Sequence, residues 1–158
     1  MKLTFVTMAV CLVGSAALAG GVMPADVKFE EDGAVTTSLS GMAGDATSGA
    51  DIIASKSRGN CVACHEITAL SDTPFHGEIG PTLDGAGDRW SQDQLRGLIA
   101  DAKMTFDGSL MPSFYKVSGF VRPGDAYTGK AAEGELAPLL SSQDIEDVVA
   151  FLMTLKDN

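Results

Sequence analysis

Cys61, Cys64 and His65 share one pentapeptide, Cys61-Val62-Ala63-Cys64-His65, and by type and spacing they are the residues of this 158-residue chain most able to do chemistry. Two thiols three positions apart can each add to one vinyl group of a porphyrin. A histidine directly after the second thiol then falls beneath the iron as an axial ligand. A haem fixed in this way is an electron carrier or a reaction centre, according to what occupies the sixth iron position. Other readings of Cys-x-x-Cys explain less. Structural zinc takes four Cys or His ligands, and outside the pentapeptide the chain offers His76, Cys11 and carboxylates. A thioredoxin-like site sits in a βαβ setting; no such pattern surrounds Cys61, and His65 would be idle in it.

The sixth position discriminates function. Of the methionines after residue 20, Met23 and Met42 lie in a polar segment, Met153 accompanies an apolar helical face, and Met104 closes a helix. Met111 differs, in Ser109-Leu110-Met111-Pro112-Ser113-Phe114-Tyr115. Pro112 restricts the residue before it to extended backbone, so a stiffened loop can hold the thioether at one place. Phe114 and Tyr115 could cover a haem and keep water out. His76 is a rival ligand, but it reads better as a loop histidine near the haem edge or surface. Lys103 has no positive support.

Behind these residues stand the elements that must position them. Lys2 followed by the uncharged apolar stretch Leu3–Leu18 and the Ala17-Leu18-Ala19 cleavage pattern reads as a secretory signal peptide over residues 1–19. The stretch is too short for a spanning helix, and Cys11 would leave with it. Residues 20–44 are polar and Gly-rich, an arm that either moves freely or wraps a partner. Residues 45–158 then form one domain. The spacing predicts a helix over 46–57 capped by Asp45, though Gly49 weakens it. A second helix is marked by a Ser91/Gln94 capping box and a Trp90/Leu95 staple, with Leu95, Leu98, Ile99 and Ala102 at helical spacing. A third has Ser141 as cap, Asp144 in the first turn, an apolar face of Ile145, Val148, Val149, Leu152 and Leu155, and Lys156 in the last turn. Few helices joined by long loops suit an all-α domain in which a haem serves as part of the core.

Net charge is −10, one unit more negative without Lys2. Binding to nucleic acid or an anionic membrane is not expected of so acidic a chain. Glu66, Asp72, Glu78, Asp84 and Asp88 fall in a stretch without Lys or Arg, so the face around the haem should suit a basic or largely apolar partner.

Gly80-Pro81-Thr82-Leu83-Asp84-Gly85, then Arg89, resembles the stretch after the haem motif in class I cytochromes c, and Met111-Pro112 their distal segment. The resemblance implies a Pro81 carbonyl hydrogen-bonded to His65, with Arg89 and Trp90 meeting a haem propionate. Phe75-His76-Gly77-Glu78-Ile79-Gly80-Pro81, Asp88-Arg89-Trp90, Met111–Tyr115, Tyr127-Thr128-Gly129-Lys130 and Ile145–Leu152 narrow it to the SoxX family of monohaem cytochromes. That likeness spans roughly residues 45–156. It implies one covalently attached haem c, ligated by His65 and Met111 and bonded to Cys61 and Cys64. It implies a periplasmic heterodimer with a SoxA-like subunit of one or two haems, in an L-cysteine S-thiosulfotransferase complex. The pair would join thiosulfate oxidatively to a SoxY carrier cysteine, with the catalytic site on the SoxA-like partner and electrons leaving this chain for a soluble cytochrome c.

The residues themselves agree on a carrier. With both axial positions filled, iron has no open site, and no free cysteine remains to act as a nucleophile; no catalytic residue is assigned here. Two readings stay open at this level. One is a free-standing periplasmic carrier; the other is a haem sensor or peroxidase with an open sixth site.

Overall fold

Asp45 starts the first helix because its carboxylate accepts the backbone N–H of Ser48 at 2.7 Å, satisfying one of the donors a helix start leaves over. That bond holds the Asp45 carboxyl below the usual carboxylate range. In the computed structural model, which describes residues 21–124 and 128–157, α1 spans Ala46–Ala54. It ends three residues before Ser57. The N–H groups of Arg58 and Asn60 both turn back to the Ser55 carbonyl, and Asn60 takes a left-handed conformation (φ 49°) that feeds the chain into Cys61. The expected signal segment, Cys11 and Tyr127 lie outside the described residues.

The other two expected helices carry reciprocal caps. Helix α3 spans Gln92–Asp101 behind the Ser91/Gln94 box. Helix α4 spans Ser142–Leu152, with Asp144 closing the box on Ser141. Between α1 and α3 lies a four-residue helix that periodicity misses, α2, Ala86–Arg89. Gly85 and Gly87 flank and interrupt its sequence, but Gly87 is needed there: a Cβ would lie 2.7 Å from the Met153 carbonyl oxygen. Lys156 is not in the last turn of α4. The chain has turned by then, and its ammonium bonds the Gly87 carbonyl at 2.5 Å and Asp88 at 3.1 Å, tying the C-terminus to α2.

Helices α1 and α4 cross closely. Gly49, a weak point by propensity, is what permits the crossing, since a Cβ there would sit 2.6 Å from the Asp147 carbonyl carbon. Ile52, Ile53, Ile145, Val148 and Val149 fill the seam and are buried. Leu95 and Ile99 of α3 join them with Phe114, Tyr115 and Leu140. Among the described residues the β pairing is an isolated bridge, Gly124 to Ala131, so the fold is all-α. None of the described helices is long and apolar enough to cross a membrane.

Residues 21–44 pack on their own domain. Val35 and Leu39 are buried, and the anchor is ionic. Arg96 of α3 and Glu146 of α4 have side chains 4% and 2% exposed and form a two-pronged pair at 2.9 and 3.1 Å. The same guanidinium donates to the Val35 carbonyl at 2.6 Å and to Asp93 at 2.8 Å, while Glu146 accepts the Leu39 N–H at 2.7 Å. Each guanidinium nitrogen and both Glu146 oxygens are bonded, the condition under which a buried pair is tolerated.

Candidate haem-attachment site

The pentapeptide opens as a tight 3-10 turn, Cys61–Ala63, with the N–H groups of Cys64 and His65 both returning to the Cys61 carbonyl at 3.1 and 3.0 Å. Three residues per turn bring positions i and i+3 to one side, so Cys61 and Cys64 share a face while Val62 is buried in the core. Both thiols are free and half-buried. Burial pushes the Cys61 thiol up to about 11, with Cys64 adding to the shift, so it is neutral.

Residues 66–84 fold back over the motif. Gly77 N–H bonds the Val62 carbonyl and Gly80 N–H the Cys64 carbonyl, each at 2.8 Å, and Leu83 N–H bonds Glu66 at 2.9 Å. Glycine is required at 80, where a Cβ would fall 2.6 Å from His65 Nδ1. The loop therefore lies directly against the imidazole, and it delivers the Pro81 carbonyl to His65 Nδ1 at 2.6 Å. A carbonyl can only accept, so Nδ1 carries the proton and the lone pair is on Nε2, as a metal ligand requires. Asp84 closes the loop by accepting the Thr68 N–H at 2.9 Å and the Thr68 hydroxyl at 2.5 Å.

Arg89 and Trp90 stand at the end of α2. Arg89 donates to the carbonyls of Asp84 at 2.5 Å and Thr82 at 3.1 Å, bracing the turn beside Pro81. Trp90 is half-buried, edge-on to Phe106 at 6.0 Å. His76 is not free to ligate through Nδ1, which accepts the Ile67 N–H at 3.2 Å; its Nε2 is buried without a partner. Met111 is half-buried against the core. Phe114 and Tyr115 are buried in the core: Tyr115 reaches the Val22 carbonyl at 2.6 Å, and their N–H groups bond Ile99 and Ala100. The contacts of Asp84, Asp101 and Lys103 have no signature in spacing or composition. Among the described residues no cluster of His, Cys, Asp and Glu is arranged to hold a metal ion on its own.

The residues fit a covalent haem. Two unpaired thiols share a face, the next residue presents Nε2, and Gly80 keeps a side chain off the imidazole. A cytochrome c family model matches residues 46–156. The fold is similar to a chain in the crystal structure of SoxXA from P. pantotrophus, with 56% identity and a TM-score of 0.83 over 87% of this chain and 100% of that one. No curated protein sequence matches. Motif, tautomer and fold thus converge, and the chain belongs to the cytochrome c family as a SoxX-type subunit.

Proposed function

We propose that this chain is the periplasmic electron-transfer subunit of a SoxAX-type complex, with one haem c held by Cys61, Cys64, His65 and Met111. The His65–Pro81 hydrogen bond carries the reading, because it commits the imidazole to the tautomer that ligates iron. When bound, the haem supplies a one-electron couple. Pro81 orients His65 and raises its basicity, as outer-shell partners do. Arg89 holds the turn that presents Pro81 and, with Trp90, would meet a haem propionate. Met111 as a thioether ligand favours the reduced state and a high potential. With His65 and Met111 both ligating and both thiols bonded, a haem here would leave no open iron site and no free thiol, so this polypeptide would carry electrons and leave sulfur bonding to its partner. A SoxA-like subunit is the partner and holds the catalytic site; thiosulfate is coupled there to a SoxY-type carrier cysteine, and a soluble cytochrome c takes the electrons onward. The 56% identity to a SoxXA chain supports the pairing.

Absorption spectroscopy of the ferric holoprotein tests the ligand set. The weak red-region band of methionine sulfur on low-spin iron is expected, lost in Met111→Ala and kept in His76→Ala. Ready carbon monoxide binding by the reduced wild type would overturn the carrier reading in favour of an open site. Purification from the native periplasm as a stable monomer would overturn the pairing.

A further inference from the structure

Met111 has its own scaffold. Lys103 Nζ donates to the Met111 carbonyl at 2.5 Å, and the Ser109 hydroxyl accepts the Met111 N–H at 3.3 Å. On the far side of Pro112, Ser113 donates to Asp101 Oδ1 at 2.7 Å, and that oxygen also accepts the Lys103 N–H at 3.2 Å. Phe114 and Tyr115 then bond the carbonyls of Ile99 and Ala100, at the end of α3 where carbonyls lack helical partners. Residues 111–115 are thus laid along residues 99–103 with a bond at nearly every step. Pro112 fixes one torsion and offers no N–H, so without Lys103 the Met111 peptide would be held only by Ser109.

We propose that Lys103 and Asp101 are positioning residues for the distal ligand. The Lys103 ammonium clamps the Met111 carbonyl, and the Asp101 carboxylate fixes both the Lys103 backbone and Ser113, so the thioether is held at one distance from the iron. The proposal rests on the reading of Met111 as that ligand. It assigns Lys103 a task other than ligation or surface charge, and it explains how an exposed loop keeps a weak thioether bond closed.

Imidazole titration of the ferric holoprotein tests it, since imidazole must displace the methionine. Lys103→Met keeps the aliphatic stem and removes the donor. Its apparent imidazole affinity should rise about fivefold, the size one exposed charge-assisted hydrogen bond supports. The red band should disappear at a lower temperature than in wild type, while the urea midpoint of the helical signal stays put. Lys103→Arg should restore the wild-type affinity, and Ser113→Ala should shift it in the same direction as Lys103→Met. If Met111→Ala abolishes the red band but Lys103→Met and Ser113→Ala leave imidazole affinity unchanged, the positioning role is wrong and the ligand assignment stands. If Met111→Ala leaves the spectrum unchanged, both fall.

Discussion

At the scale of single residues, the His65 side of the site depends on small contacts that set the state of one imidazole. Asp84 is the least obvious of them. Hydrogen bonds from the Thr68 hydroxyl and N–H hold its carboxyl below the usual carboxylate range. The folded chain therefore takes up this proton less readily than the unfolded one. The stabilisation is fully present above the ordinary carboxylate pKa of about 4 and is lost as pH falls through the lower folded value. Urea midpoints measured from pH 6 to pH 2 should drop more steeply below pH 4 for wild type than for Asp84→Asn; parallel curves would remove Asp84 from the clasp. The pentapeptide was legible because it is a short string with its own chemistry. The Asp84–Thr68 bond and the Lys103–Met111 contact were not, because neither residue type announces its partner.

At the scale of elements, Gly49 sets two effects against each other. Propensity alone makes Gly49→Ala stabilising by about 1 kcal/mol. The new Cβ would instead run into the Asp147 backbone of α4, and overpacking of this kind costs about 1–3 kcal/mol. Backbone against backbone leaves no flexible group to yield, so the clash wins. Gly49→Ala should lower the urea midpoint, and a rise would show that α1 and α4 can separate at no cost. The helix starts were legible for a related reason. Asp45, Ser91 with Gln94, and Ser141 with Asp144 act within three residues of themselves. Helix ends and the arm were less legible, since they depend on distant groups. α1 stops where Ser55 and Asn60 turn the chain; α2 hides behind Gly85 and Gly87, the second required by the end of α4; the arm is anchored by Arg96 and Glu146, fifty residues apart.

At the scale of the whole molecule, charge is the main lever on association. The chain carries −10 overall, but its acidic stretch is partly spoken for. Asp84 holds Thr68, and Asp88 meets Lys156 and the Asp157 N–H. Glu66, Asp72 and Glu78 remain exposed near the motif. Steering by such charges is screened beyond about 10 Å at 0.1 M salt. Electron transfer to a basic acceptor should therefore slow as ionic strength rises. Glu66→Gln/Asp72→Asn/Glu78→Gln should flatten that dependence, in stopped-flow traces at increasing salt. A wild-type rate indifferent to ionic strength would exclude charge steering.

The bonds around His65 also bear on the order in which the protein is built. Those that set its tautomer and close its loop, His65 to Pro81, Thr68 to Asp84 and Thr82 to Glu66, each span sixteen positions. The bonds that hold the arm and the helices together span 50 to 107. Closing a short loop costs less entropy than closing a long one, and local contacts form sooner. The thiols and the histidine can thus be arrayed while the helices are still finding one another. The chain is organised to meet its porphyrin before it is finished folding.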